Sequence, residues 1–416
     1  MRTAYKCRAY PDPEQQAQLG RTFGCVRLVW NKTLAHRHTA HHQHGQKTSY
    51  TQTDQALTAW KKTPDLAFLS EVSSVPLQQV LRHQHTAFSN FFAGRAKYPR
   101  FKSRNGRQSA HYTRSAFRIR EGKLFLAKQD KPLEVAWSWP QVDLATLNPT
   151  MVVLSREPDG RWYVTFAVEV DDPQPAPKAH SEVGVDLGVR DVAALSTGEK
   201  IANPRHLQRK AANLARYQRR MARKAKGSNN RGKAKRKVAA AHRKVRHARA
   251  DFLHKTTTRL VREHDVIAIE DLNIHGMTAS AKGTIKAPGT KVRQKAGLNR
   301  SVLDAALGEF RRQLEYKAER YGRTLVVVDR WYPSSKTCSE CGHLLDTLSL
   351  GTRYWTCPAC RTRHDRDTNA AKNILAAGRV AARHAGDACG AGVRRQGSSL
   401  PQPATKQETG SVRTGP

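Results

Sequence analysis

The N-terminal part of the chain alternates between a strand pattern and two helical patterns. Residues 2–9 (RTAYKCRA) predict a short strand. Asp12 and Pro13 then precede apolar residues at helical spacing, which predicts a helix that begins at Pro13. A second apolar stripe, at 76–93, predicts a partner helix packed in the same core.

The pattern changes to strands between residues 109 and 172. Two pairs of apolar runs are each separated by a turn sequence, Glu121-Gly122 in one and Asp159-Gly160 in the other. Together with the first strand, these runs predict a small antiparallel barrel that is interrupted by the helical residues 11–95. The proline-rich residues 171–180 predict a linker to a second domain.

The second half of the chain predicts an α/β domain. Its expected order is three strands, a helical region, a strand, a helix, a strand and a last helix, which is the element order of the RNase H fold. A Ser301 and Asp304 capping-box pattern predicts the start of the middle helix. The three strands begin at 184, the basic helices span 204–263 with a break at 227–232, and the later strands lie at 266–271 and 324–329.

Charge adds the class of partner to this picture. The 416 residues contain 73 Lys and Arg against 34 Asp and Glu, a formal net charge of +39. Eighteen of these cations occur between Arg205 and Arg249 without a single acid, so like charges repel along helices unless a polyanion lies there. Nucleic acid is the expected partner. No apolar run approaches the ~18 residues that cross a bilayer, and the N-terminus lacks a signal-peptide core. A cytoplasmic, nucleoid-associated protein is therefore expected.

Three basic or polar segments are candidates for nucleic-acid contact. The polar edge of the 76–93 stripe, the aromatic and cationic segment 98–107, and the basic helical region supply them. Their simpler interpretations are, respectively, a core helix, a basic loop pinned by Phe101, and a solvated face. The candidate residues are Gln78, Gln79, Arg82, Arg100, Lys102, Arg104, Arg219, Arg220, Arg223, Lys235 and Arg236.

A histidine-rich stretch at 36–45 could hold a metal ion. It has no acidic or cysteine partner nearby in the sequence, so a solvated helix end is the favoured interpretation.

Three carboxylates in distant elements suggest a site for phosphodiester hydrolysis. Asp186 lies within a strand, where aspartate is disfavoured unless it serves a function. Glu270 ends another apolar strand, and Asp367 lies at the start of the last helix. Alternation along a strand allows only one of Glu270 and Asp271 to face Asp186, and we choose Glu270.

Such a cluster repels itself without cations, and Mg²⁺ prefers these hard oxygen ligands. Two ions about 4 Å apart could activate water and stabilise the leaving oxygen of a phosphodiester. Asp365 is the competitor of Asp367, but its position two residues earlier is more typical of a loop.

Four of the seven cysteines form two C-x-x-C pairs, a spacing typical of a structural zinc ribbon. A closed four-thiolate site has no open position for a substrate, so its expected role is in folding. The ligands would be Cys338, Cys341, Cys357 and Cys360, which leaves Cys7, Cys25 and Cys389 as ordinary thiols.

Several motifs resemble one known family. GVDLGV, IEDLN, WYPSSKTCSECG, WTCPAC and HDRDTNAAKNI, and more loosely YPDPEQQAQL, RLVWN, LQQVL, FSNFF and YPRFKSR, occur in the order seen in TnpB, the OrfB-type protein of insertion sequences. These proteins are relatives of the type V CRISPR nucleases. The resemblance implies that Asp186, Glu270 and Asp367 are catalytic acids and that Asn369 supports them.

The resemblance also implies a domain organisation. It comprises a barrel-like wedge domain at 1–10 and 96–172, a helical recognition insert at 11–95, a linker at 173–180, a RuvC-type nuclease at 181–336 and 362–385, a zinc ribbon at 337–361 and a disordered tail at 386–416.

The resulting hypothesis is a transposon-encoded, Mg²⁺-dependent DNA endonuclease. The resemblance implies a guide RNA from the transposon end and target DNA beside a short adjacent motif. Two alternatives stay open, namely a nucleic-acid binder that regulates transposition without cutting, and an unguided transposase or junction nuclease. The guide sequence, the adjacent motif and the oligomeric state do not follow from the sequence.

Overall fold

The computed structural model describes residues 2–387 apart from 141, 172–174 and 350, without the side chains of 383–387. The described chain forms two compact units. Unit 1 comprises residues 1–172 and 217–240, and unit 2 comprises the remainder. The predicted tail beyond residue 387 and the first part of the predicted linker lie outside the described residues. None of the described helices combines the length and apolarity needed to span a membrane.

Unit 1 combines antiparallel strands with three long helices. Its elements are β1 (Arg2–Ala9), α1 (Pro13–His44), α2 (Tyr50–Lys62), α3 (Ser74–Phe92), β2 (Gln108–Thr113), β3 (Phe117–Arg120), β4 (Lys123–Leu126), β5 (Val135–Ala136), β6 (Pro149–Arg156) and β7 (Trp162–Glu169).

The strands of unit 1 form one five-stranded sheet and one hairpin. The sheet has the order β2-β6-β7-β1-β5, and β3 pairs with β4 through the turn predicted at Glu121-Gly122. The first strand pairs along its whole length with β7, as the barrel hypothesis requires. Among the described strands, however, β2 and β5 are the two edges of the sheet, so hydrogen bonding does not close a barrel.

The helices of unit 1 begin and end where local chemistry allows. Asp12 and Gln15 form a capping box at the start of α1, which confirms the predicted start, and Gly45 ends the helix in the left-handed conformation. Apolar residues of α1 and α3, including Leu19 and Leu77, pack in one core with strand residues such as Phe166.

Helix α2 was not predicted because it buries only two residues, so its apolar pattern is weak. The exposed end of α1 contains the histidine-rich stretch, which agrees with the solvated interpretation.

Unit 2 and the helical hairpin at residues 204–263 contain the α/β elements, which include a one-turn helix and two short strands that the sequence did not predict. They are β8 (Glu182–Leu187), β9 (Asp191–Leu195), β10 (Lys200–Ala202), α4 (His206–Ala222), α5 (Asn229–Glu263), β11 (Val266–Glu270), α6 (Ile274–Met277), α7 (Val292–Ala305), α8 (Leu307–Tyr321), β12 (Thr324–Val328), β13 (Tyr354–Thr356), β14 (Arg363–Asp365) and α9 (Arg366–Asp387).

The large sheet of unit 2 has the order β10-β9-β8-β11-β12. Its first three strands form an antiparallel meander, whereas β11 is parallel to both β8 and β12. Residues that alternate along β8 and β11 face opposite sides. Val185 and Ile269 face a core formed with Phe310 and Leu314 of α8, and the other side of the sheet is covered by α9.

The predicted start of the middle helix at Ser301 is wrong. Helix α7 already contains Ser301 and Asp304, and α8 begins after Ala306, whose left-handed backbone (φ 56°) separates the two helices. The carboxylate of Asp304 instead accepts hydrogen bonds from the backbone N–H groups of Leu207 and Gln208. Asp304 therefore caps a different helix, α4, which no local sequence pattern could indicate.

Candidate carboxylate and cysteine sites

Strand pairing brings two of the predicted acids side by side. In the parallel pair of β8 and β11, Ile269 lies beside Val185. The next positions, Asp186 and Glu270, are therefore neighbours at the carboxyl ends of strands roughly 4.8 Å apart. Alternation turns both toward the side of the sheet that α9 covers.

Helix α9 brings the third acid to this edge by packing very close to the sheet. A Cβ on Gly184 would lie 2.0 Å from the backbone oxygen of Ala371 and 2.8 Å from Cβ of Leu375. A Cβ on Gly378, lower on the helix, would lie 2.6 Å from Cβ of Ala268. Only glycine allows these approaches. Because Asp367 lies in the first turn of α9, its position depends on this packing.

Asp186 and Asp367 line one pocket of about 140 Å³. Two arginines also line it, Arg190 from the loop after β8 and Arg353 from the segment before β13. The Arg353 guanidinium lies 3.7 Å from an Asp367 carboxylate oxygen. Sequence reasoning missed both arginines, because neither belongs to a motif that indicated chemistry.

The electrostatics of this edge favour bound cations. Burial first, and then the charges of Asp367 and Glu270, raise the pKa of Asp186 to about 7. Burial first, and then the neighbouring Asp271, also raise the pKa of Glu270. The folded chain therefore keeps negative charge here at a free-energy cost, which a cation would remove.

The two competing acids have other partners. Arg311 donates to Asp271 at 2.5 Å and Arg330 donates to its other oxygen, and these hydrogen bonds lower the Asp271 pKa. Asp365 accepts from Lys200 at 2.6 Å and from the backbone N–H of Thr368, so that it caps α9. Both acids are therefore held by structural contacts. Asp365 ends strand β14, so the expectation that it lies in a loop was wrong.

The three carboxylates lie at one edge of the sheet but do not form one tight cluster. Among the described residues, they do not form a group whose ligand atoms all lie within 4.8 Å of one another. Hard oxygen donors of this kind are the ligands that Mg²⁺ prefers, so the chemistry of these side chains suits such an ion.

The four predicted cysteines meet at one point. Their sulfur atoms all lie within 4.8 Å of one another, and the pairs Cys338–Cys360 and Cys341–Cys357 are each 3.6 Å apart. Thiolates at about 2.3 Å from a tetrahedral ion are separated by roughly 3.8 Å. The geometry therefore fits a closed four-sulfur metal site.

A histidine and a tryptophan lie beside the cysteine cluster. His364 Nε2 lies 3.1 Å from the Cys338 sulfur, and its ring packs against Trp355 at 4.7 Å between centroids. Such a contact from an imidazole can orient the sulfur of Cys338 as a metal ligand. His364 was not singled out in the sequence, although it lies three residues from Asp367.

Comparison with known proteins assigns the family. Three family models match, a probable transposase model of the OrfB type at residues 165–281, a Cas12f1-like TNB domain at 308–374 and a helix-turn-helix domain at 1–46. A relative from Streptomyces pristinaespiralis, named "Putative RNA-guided DNA endonuclease", is 51% identical over 98% of this chain and 96% of its own length. The chain belongs to the OrfB (TnpB) family.

Further relatives agree with this assignment. The Escherichia coli K12 protein named "Putative RNA-guided DNA endonuclease InsQ" is 35% identical over 97% of each chain. A cryo-EM structure of a Cas12f1–sgRNA–target DNA complex superposes with a TM-score of 0.53 at 12% identity, covering 90% of this chain and 98% of that chain. That likeness shows a shared fold. The region matched by the helix-turn-helix model is, in this TnpB-family chain, strand β1 followed by one continuous helix.

Two buried asparagines of α9 connect the cysteine cluster to the TnpB carboxylate edge. Asn369 and Asn373, one turn apart, both donate from their side chains to the backbone oxygen of Thr337, at 2.7 and 2.6 Å. Asn369 also accepts from the backbone N–H of Ser339. These bonds fix the loop around Cys338 to the helix that carries Asp367.

The predicted nucleic-acid residues all belong to unit 1. Gln78 and Gln79 are half-buried on α3, and Arg82 is exposed beside the Tyr50 hydroxyl. Leu77, Val80 and Leu81 belong to the core, as expected.

The segment with Arg100, Lys102 and Arg104 is pinned to α1 by Trp30 and Asn31, not by Phe101, which is 63% exposed. The candidates in the helical hairpin of α4 and α5 are all exposed, namely Arg219, Arg220, Arg223, Lys235 and Arg236. Among them, Lys235 donates a hydrogen bond to Asn105 at 3.0 Å. These candidate contacts therefore lie on the surface.

Proposed function

We propose that this protein is a transposon-associated, RNA-guided DNA endonuclease. The observation that carries the proposal is the meeting of Asp186, Glu270 and Asp367, from three elements, at one edge of a sheet. Relatives that match almost the full chain are named as RNA-guided DNA endonucleases. The large positive charge suits RNA and DNA as partners.

In this proposal the three carboxylates are the catalytic acids and would hold Mg²⁺. Such ions, when bound, would supply the chemistry of water activation and of stabilising the leaving oxygen of a phosphodiester. The chain itself keeps the acids ready, because β8 and β11 fix Asp186 and Glu270 and the close packing of α9 fixes Asp367. Arg190 and Arg353 lie where they can neutralise a phosphate at the pocket.

The four cysteines would hold structural Zn²⁺. The ion would replace the thiol protons and link the two C-x-x-C turns, which contributes directly to folding. The hydrogen bonds from Asn369 and Asn373 would then hold α9 against this rigid loop. In this way Asn369 would support the position of the catalytic acid Asp367.

We also assign the two units to the domains implied by the family. Unit 2, with its antiparallel meander and parallel strands, would be the RuvC-type nuclease of the RNase H fold, with the ribbon at 337–361 inserted before α9. The sheet of unit 1 would be the wedge domain and its helices α1 to α3 the recognition insert. A guide RNA and the motif beside the target would be recognised by this basic protein.

The test is reconstitution with the native transposon end. Protein expressed together with that DNA should co-purify with a discrete RNA and cut a matching DNA target in Mg²⁺ but not with chelator. Asp186→Ala should abolish cutting and keep the RNA, whereas Asp130→Ala, at an exposed turn of unit 1, should cut normally. Cleavage that persists in Asp186→Ala would refute the catalytic assignment.

The same assay separates the alternatives. A transposition regulator without nuclease activity would bind nucleic acid and never cut. An unguided nuclease would keep its activity after the co-purified RNA is digested.

A further inference from the structure

A second, larger pocket adjoins the carboxylate pocket in unit 2. It has a volume of about 590 Å³ and shares Val189, Arg190 and Arg353 with its smaller neighbour. It extends from there to Arg205, before α4, and Arg300, on α7. We refer to it as the arginine pocket, after these four arginines.

The charge of the arginine pocket is largely uncompensated. Within the described part of the chain, the Arg190 and Arg205 side chains make no hydrogen bond or ion pair, and Arg300 contacts only a backbone oxygen of its own helix. The acid that lines the pocket, Asp304, is already paired with Arg249 at 2.7 Å and caps α4. Anions that enter the pocket therefore meet several available guanidinium groups.

A strained connection holds the pocket to the carboxylate edge. Arg205 has a left-handed backbone conformation (φ 48°), which non-glycine residues rarely adopt. Its backbone N–H donates to the Asn203 side chain, and the amide of Asn203 donates to the Val189 backbone oxygen at 2.7 Å. Strain of this kind persists where the surroundings enforce it and is concentrated at ligand sites. Asn203 thus fixes Arg205 relative to the loop that both pockets share.

We propose that the arginine pocket binds the sugar-phosphate backbone of the DNA strand next to the bond that is cut. Guanidinium groups bind phosphates through paired N–H donors, and a pocket of this volume accepts a nucleotide-sized group. Because the two pockets share residues, one strand can place one phosphate at the carboxylates and the next nucleotides among the arginines. The proposal rests on the nuclease function proposed above.

The test compares two double variants of the full chain bound to its RNA. Arg205→Ala with Arg300→Ala removes two pocket charges. Arg209→Ala with Arg293→Ala is the matched control, since it removes two exposed arginines of α4 and α7 that do not line the pocket. Affinity for a short labelled single-stranded DNA is measured in chelator at several salt concentrations, and single-turnover cleavage of the target is measured in Mg²⁺.

The pocket variant should bind the DNA about tenfold more weakly or worse, as expected when charged hydrogen bonds are removed. Each phosphate of a single strand that the variant no longer neutralises should lower the slope of log affinity against log salt by about 0.7, so a decrease of about 1.4 is expected. Cleavage should slow in parallel, and the control should behave as the unmodified protein. An unchanged slope in the pocket variant or an equally weakened control would overturn the proposal.

The binding arm needs no cleavage. If the protein never cuts but the pocket variant binds the DNA more weakly than the control, the proposed nuclease activity is refuted and the pocket is supported. Normal cleavage by the pocket variant would support the nuclease activity and refute the proposed role of the arginine pocket.

Discussion

At the scale of single residues, the candidate site differs from its surroundings in how closely cations of the chain bind each acid, since Asp367 has only the Arg353 guanidinium at 3.7 Å. Asp271 and Asp365 are as acidic in the sequence as Glu270 and Asp367, yet arginines and a lysine neutralise the first two. Among the described residues Asp186 forms no ion pair, and burial first, and then the charges of Asp367 and Glu270, raise its pKa. The function proposed for Asp186 therefore has a cost in stability that can be measured.

We expect Asp186→Asn to stabilise the metal-free protein at high pH. The folded protein binds a proton at Asp186 more tightly than the unfolded chain does, so this group favours folding least above its folded pKa of about 7. In chelator at pH 8 the variant should have a higher melting temperature. Its free energy of unfolding should be larger by up to roughly 4 kcal/mol. The gain should disappear near pH 4, and cleavage should be lost.

Asp271→Asn is the opposite control. Hydrogen bonds from Arg311 and then Arg330 lower the Asp271 pKa, so its contribution to stability is present above the unfolded pKa and is lost as the pH falls through the folded value. This variant should be less stable than the unmodified protein at pH 8, and the difference should shrink in acid. A scan of melting temperature against pH checks both signs, and equal behaviour of the two variants would contradict the assignment.

The sequence predicts the acids but not their neighbours. The three acids can be recognised because of their positions in the apolar patterns. Asp186 interrupts a strand, Glu270 ends one, and Asp367 lies at the start of a helix. Arg353 and Asn203 act through loops whose positions depend on tertiary packing, and no local pattern marks them.

At the scale of elements, helix α9 is the part that assembles the site. It packs on the sheet through Gly184 and Gly378, begins at the cap Asp365, and is tied to the cysteine loop by Asn369. Most strands, and the start of α1, were predicted from periodicity together with turn and capping residues, whereas β5, β13, β14, α2 and α6 were not predicted. The division of α7 from α8 was not predicted either, because Asp304 caps another helix.

We expect Gly184→Ala to displace α9. The added Cβ would lie 2.0 Å from the Ala371 backbone oxygen, which no rotamer change can relieve, so a loss of about 3 kcal/mol or more is expected. Gly20→Ala on α1 is the control, since a Cβ there meets nothing within 4 Å and should add up to about 1 kcal/mol through helix propensity. Chemical denaturation measures both, and equal stability of the two variants would contradict the close packing.

We expect Cys357→Ser to remove the proposed zinc ion and several kcal/mol of stability from the C-terminal region. Cleavage should fall indirectly, because the loop that Asn369 holds would loosen. Cys25→Ala, in the core of unit 1, should keep the metal. Elemental analysis and melting temperature give the answer, and unchanged zinc in Cys357→Ser would exclude a four-cysteine site.

At the scale of the whole molecule, charge dominates. A net charge of +39 was evident from composition alone, and the class of partner follows from it. Which cations lie near one another was not evident. Arg100 and Lys235 are far apart in sequence, yet both belong to unit 1, where Lys235 reaches the segment that contains Arg100 through Asn105.

The exposed hairpin cations should make RNA affinity steeply dependent on salt. Replacing Arg219, Arg220, Arg223, Lys235 and Arg236 by alanine should lower the slope of log affinity against log salt by about 0.7 to 0.9 for each phosphate that these cations neutralise. Replacing five cations of the unit 2 surface away from both pockets is the control. Filter binding at several salt concentrations measures the slope, and an unchanged slope would mean that RNA lies elsewhere.

The late position of Asp367 in the chain has a consequence for synthesis of the protein. A nascent chain that has left the ribosome only as far as β12 already possesses Asp186 and Glu270, but it lacks the helix that completes the acidic edge. With Asp367 as a catalytic acid, as proposed above, cutting requires that α9 has been translated, and α9 follows the basic segments in the chain. On the same assignment, a premature stop before residue 366 would give a protein that binds nucleic acid and does not cleave it.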